Sequence, residues 1–132
     1  MKIINIILRV VLGLLIITPI LGVLGIFPAP RADLYNTPEA FAFINSLYTS
    51  GYIMYTMALV FAVSIVLIIM NRMALVALLI LPITVNILAF HAFLDGGLFT
   101  AGSIMANVLF LINLYFLWRN RAQYKVLWNK SA

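Results

Sequence analysis

The sequence predicts an all-α membrane protein: an antiparallel bundle of four transmembrane helices with a short interfacial helix between spans 1 and 2. Three observations carry this expectation. Of 132 residues, 66% are hydrophobic and 8% are charged, whereas soluble domains carry about 25% charged residues. Four mostly apolar runs, each near the ~20 residues needed to cross hydrocarbon, fill nearly the whole chain. The basic residues gather on one side of those runs. Residues 1–132 therefore read as a single integral membrane domain.

The first span is expected at about 3–27. Its charge-free part, Val10 to Phe27, is roughly 27 Å long at the helical rise, enough to cross the hydrocarbon. Lys2 followed by an apolar run also fits a secretory signal. Signal cores, however, are about 7–15 residues and end in a small-x-small site, and Pro28-Ala29-Pro30 is a poor one. Pro28, Pro30 and Pro38 stop the first helix from continuing. Thr37-Pro38-Glu39 then starts a new one: Thr37 as N-cap, Pro38 in the first helical position, Glu39 at the positive end of the dipole. This helix, about 38–49, places Phe41, Ile44, Leu47 and Tyr48 on one face, opposite Asn45 and Ser46. It is too short to span and should lie on or dip into the outer leaflet. It reads either as a packing element or as a gate over an internal cavity. The remaining spans are expected at about 52–70, 73–94 and 98–118. Asn71-Arg72 forms a tight turn between the second and third, and Asp95-Gly96-Gly97 breaks the third from the fourth.

Four spans put both termini on one side. Lys2, Arg9, Arg72, Arg119, Arg121, Lys125 and Lys130 then oppose Arg31 alone, while Asp33, Glu39 and Asp95 fall on the other side. The positive-inside rule places both termini in the cytoplasm of a multi-pass protein of the cell inner membrane. Tyr115, Phe116, Trp118, Tyr124 and Trp128 mark the inner boundary, and the basic tail, 119–132, should lie along the membrane surface. The tail's cations set topology; recognition of anionic lipid is the alternative. Nucleic acid is not an expected partner, because no solvated basic face with readers around it exists.

Polar residues inside the spans are the candidate sites. Arg9 either snorkels to the headgroups or faces inward toward an anion or carbonyl. His91 has Asp95 at i+4, so an imidazole–carboxylate pair is within reach; it could hold a ligand headgroup, shuttle a proton, or simply sit satisfied at the interface. Asn86 lies one turn after Pro82, Asn107 shares a face of the fourth span with Ser103, and Asn113 sits deeper. These amides either clamp helices together or line a small polar pocket with His91. Ala58, Ala62, Gly22 and Gly25 read as small residues that let backbones approach. The chain has one His, three acids and no Cys, which excludes a protein-built structural zinc site, bis-histidine haem and disulfides. No phosphate-cradling glycine loop is present, so any catalysis needs a cofactor or partner subunit.

Arg9-Val-Val-Leu-Gly13, the stretch from Phe41 through Leu47 to Gly51-Tyr52, Asn71-Arg72, Leu81 to Leu94 with Pro82, Asn86 and His91, and the Tyr115–Trp128 exit together resemble the DoxX-like family of small four-span membrane proteins. The resemblance covers nearly the full chain and rests on the order and spacing of these stretches. It implies a membrane partner of redox systems and, weakly, a quinone-linked role. Many relatives carry a lysine, a glutamate and then a glycine in the second span, where this chain has Ala58, Phe61 and Ile65. The intramembrane carboxylate is missing, which moves the expectation toward binding or structure.

Three functions follow as expectations. The first is a non-catalytic subunit or scaffold of a larger membrane complex, with membrane proteins and the lipid bilayer as partners and no cofactor. The second is a quinone-binding oxidoreductase subunit using His91 with Asn86 or Asn107. The third is a carrier of lipid or a small solute, which the scarcity of buried polar residues opposes.

Overall fold

The computed structural model describes residues 1–129; Lys130, part of the expected tail, lies outside the described residues. The elements are α1 (Lys2–Val23), a 3₁₀ turn (Ala32–Leu34), α2 (Pro38–Ser50), α3 (Tyr52–Ile69), α4 (Met73–Phe93), α5 (Ser103–Arg119) and the short α6 (Lys125–Trp128). No strand occurs among the described residues. Helices α1, α3 and α4 are long and apolar enough to cross a membrane, and α5 is a shorter apolar helix of 17 residues. Leu14, Leu59, Leu75 and Leu111 are each more than half exposed. Such faces suit a lipid bilayer rather than water.

The helix ends show why the chain turns where it does. Helix α1 stops at Val23, short of the expected Phe27, because Gly25 takes φ +78°. Its N–H donates to the Gly22 carbonyl and that of Ile26 to Leu21, both at 3.0 Å, the double bond of a Schellman cap. Neither Gly22 nor Gly25 is a close-approach site as expected, since a Cβ on either would meet nothing within 4 Å. Ala58 is buried, but Ala62 faces outward. The α3–α4 turn repeats the cap with Asn71 at φ +61°: Arg72 N–H donates to Leu67 at 2.8 Å and Asn71 N–H to Ile68 at 3.0 Å. Asparagine tolerates this left-handed geometry better than other side chains. Helix α5 begins at Ser103, later than the expected Leu98. Gly96 and Gly97 adopt φ +86° and +107°, and the chain re-enters a helix only through Thr100 and Ser103. Ser103 N–H donates to Thr100 Oγ1 at 3.2 Å, and Thr100 N–H to Ser103 Oγ at 3.1 Å, a reciprocal pair that closes the turn leading into α5.

Helix α1 packs on α3, α3 on α4, α4 on α5, and α5 back on α1. One face of each helix supplies the core: Leu12 and Ile16, Phe61, Val76 and Ile80, and Leu109, Ile112 and Phe116. Lipid tails are as apolar as these side chains, so close packing and interhelical hydrogen bonds hold such helices together rather than transfer from water. At the proximal end, where α1 starts and α5 finishes, Asn5 meets Tyr115, and the tail's Tyr124 donates to the Ala74 carbonyl at 2.9 Å. At the distal end, residues 36 and 37 meet residues 94 and 95.

Candidate functional site

The polar residues gather in three places. At the distal end Thr37 accepts from Ala40 N–H at 3.1 Å, the N-cap of α2, and its hydroxyl donates to the Leu94 carbonyl. Asp95, 2% exposed, accepts from Asn36 N–H at 2.8 Å and lies 3.0 Å from His91 Nδ1. The Asn36 side chain donates to the Asp95 carbonyl at 3.1 Å. His91 and Asp95 thus meet at the i+4 spacing, but the carboxylate's other oxygen is committed to the segment that starts α2. The pair latches α2 to the end of α4.

Aromatic rings complete this latch. Tyr35 packs edge-on to Phe90 with centroids 6.3 Å apart, and Phe43 stacks on Phe90 at 5.9 Å. Burial, and then the neighbouring Asp95 carboxylate, raise the Tyr35 phenol above its ordinary value. Helix α2 turns Ala40, Phe41, Ile44 and Leu47 inward, with Ala40 fully buried, while Tyr48 is 38% exposed at the margin of that face.

Asn86 and Asn107 do not join His91 in a pocket. Asn107 donates to the Leu98 carbonyl at 2.7 Å, tying the α4–α5 connection onto α5. Asn86 faces outward and has no side-chain hydrogen bond among the described residues. The interhelical clamp expected of these amides is made by Asn113 alone of the three, with Thr84 as its partner. Thr84 donates to Asn113 Oδ1 at 2.7 Å, and Asn113 Nδ2 donates to the Ala77 carbonyl at 2.9 Å, all within the buried core. Thr84 and Asn113 each lie fourteen residues from the middle of the α4–α5 connection, Leu98-Phe99. In an antiparallel hairpin such residues come level, a signal that would have selected this pair over Asn86.

At the proximal end the Asn5 amide bridges two helices. Its nitrogen meets the Tyr115 hydroxyl at 2.6 Å, and its oxygen accepts from the Arg119 guanidinium at 3.0 and 3.2 Å, matching donors to acceptors on both sides. Arg9, one turn further along α1, lines two adjoining open-sided clefts of about 620 and 290 Å³. Its Nε is buried without a partner. Burial raises the pKa of Tyr124, which closes the larger cleft from the tail side. Among the described residues, no group of three or more His, Cys, Asp or Glu side chains is placed to hold a metal ion.

Comparison with protein-family models, with curated proteins and with solved structures finds no match to this chain.

Proposed function

We propose that the chain is an antiparallel four-span, DoxX-like protein of the cell inner membrane that serves as a non-catalytic subunit or scaffold of a larger membrane complex. Both termini face the cytoplasm in this reading. Lys2, Arg9, Arg72, Arg119, Arg121 and Lys125 at the proximal end, against Arg31 at the distal end, support that orientation. Helix α5 completes the fourth crossing: its start is tied to the distal turn through Asn107, and its end lies beside the start of α1 through Tyr115.

Asn86 is the observation that carries the role. It sits mid-way along α4 on an outward face with Leu78, Pro82 and Val85, all exposed. An amide aimed at hydrocarbon is costly, and a polar side chain or backbone carbonyl of a neighbouring membrane helix would satisfy it. The other candidates support the same role, because Asp95 and Asn107 spend their hydrogen bonds inside the chain. The position of the relatives' glutamate is a fully buried core residue here, Phe61.

Purification of the full chain in mild detergent tests the proposal. Other membrane chains should co-purify, be lost from Asn86→Leu and be retained by His91→Ala, and His91→Ala should leave the membrane's quinol oxidation unchanged. A preparation that holds extractable quinone, lost on His91→Ala, and brings no other chain would overturn the scaffold in favour of a quinone-binding subunit.

A further inference from the structure

Arg9 lies seven residues beyond the start of α1, about 10 Å deeper at the helical rise. Its Nε is buried and unpartnered, a donor left without an acceptor. Among the described residues no acidic side chain pairs with it. The nearby Asn5 oxygen is taken by Arg119. The chain's three acidic side chains, Asp33, Glu39 and Asp95, all belong to the α1–α2 and α4–α5 connections and the start of α2. Two of them are engaged there, Asp33 with Arg31 and Asp95 with His91.

The clefts beside Arg9 add further positive charge. Arg72 lines the larger and Arg119 the smaller. Helix α4 also opens into the larger cleft through Met73 and Ala74, and no side chain caps its N-terminus. The first N–H groups of a helix lack intrahelical acceptors and sit at the positive end of its dipole, an arrangement that suits phosphate oxygens. Asn71, Asn120 and Gln123 supply neutral polar groups around the rim. The far wall is apolar, formed by Leu75, Leu78 and Leu127, and the first two belong to the outward face of α4.

We propose that this cleft binds the phosphate of an anionic phospholipid, with Arg9 and Arg72 as its cationic ligands and Leu75 and Leu78 as the wall along which an acyl chain runs. A free phosphate ion shares the headgroup chemistry. Two features favour the lipid: the volume of about 620 Å³ is in the range that holds whole small molecules, and the polar floor continues into an apolar face. Arg9 therefore reaches the headgroup layer through a cleft rather than across an open surface. The inference rests on the membrane-embedded reading of the chain, but neither on the scaffold role nor on which side faces the cytoplasm.

The test is lipid retention by the full chain, read by native mass spectrometry after release from micelles containing equal phosphatidylglycerol and phosphatidylcholine. Phosphatidylglycerol should be retained over phosphatidylcholine, and Arg9→Gln should cut that preference about tenfold, the effect of losing charge-assisted hydrogen bonds. Lys125→Gln, which removes a nearby cation outside both clefts, should leave it unchanged. Should Arg9→Gln not fold, Arg72→Gln carries the same expectation. Equal retention of both lipids, or equal loss in the Lys125 variant, overturns the site. Protection of the chain by inorganic phosphate alone, dependent on Arg9 and indifferent to lipid, overturns the lipid assignment in favour of a soluble anion. Alkaline carbonate extraction separates these failures from that of the membrane reading: release of the chain without detergent defeats the latter, whereas retention with no lipid preference defeats only the site.

Discussion

Replacing Asp95 by alanine should undock α2 while leaving the helix core intact. The substitution removes the carboxylate bonds to Asn36 N–H at 2.8 Å and to His91 Nδ1 at 3.0 Å. Only the Asn36 bond crosses to the segment that starts α2, since His91 and Asp95 both lie on the α4 side. One charge-assisted hydrogen bond is worth roughly 1.5–3 kcal/mol, and relief of the buried carboxylate's desolvation returns part of that, leaving a net loss of about 1 kcal/mol. The bond from Thr37 to the Leu94 carbonyl and that from the Asn36 side chain to the Asp95 carbonyl survive the substitution, so the latch weakens rather than vanishes. A 13-residue helix is marginal on its own, so its amides exchange through undocking. The opening equilibrium should rise about fivefold. Hydrogen exchange followed by mass spectrometry should show faster exchange in Pro38–Ser50 with α3, α4 and α5 unchanged. Gly96→Ala should act in the same direction, because Gly96 sits at φ +86° and its Cβ would lie 3.2 Å from that of Asn36. Unaltered exchange in α2, or uniform acceleration across all helices, would refute the latch.

Two further outcomes follow from the buried and half-buried polar groups. A double-mutant cycle of Thr84→Val and Asn113→Leu should give a coupling of about 0.5–1.5 kcal/mol in thermal or denaturant unfolding in detergent; additive effects would remove Thr84 and Asn113 as a clamp. Tyr35 should titrate above 10.0 because of burial and then Asp95. With the folded value raised, its contribution to stability is intact below about 10 and is lost as pH rises through the folded value. Asp95→Asn should lower the Tyr35 titration in part, since burial remains, as read by the phenolate absorbance difference against Tyr35→Phe.

The local instructions in this chain are strong. Thr37-Pro38-Glu39 announces the start of α2 because a hydroxyl cap, a proline and an acid each suit one position of a helix N-terminus, and the cap is present. Asn71 marks the α3–α4 turn because few side chains tolerate a positive φ. Gly25 is the instructive exception. Its small size suggested close helix approach, yet it works through its conformation, and composition does not distinguish these two uses of glycine.

The sequence by itself marked the apolar helices as suited to a membrane, located the turns between them and put Asp95 within reach of His91, because hydropathy, caps and i+4 spacing are local properties. Only the tertiary structure decided which face of each helix turns inward. Helices α3, α4 and α5 are apolar nearly all round, so periodicity offers no preferred side, and packing chose Phe61, Val76 and Phe116 for the core. That choice buried Asn113 with Thr84 and left Asn86 facing outward. It also set Arg9 and Arg72 around one cleft at the opening of α4, since bringing together residues some sixty positions apart depends on how the helices are arranged rather than on any one of them.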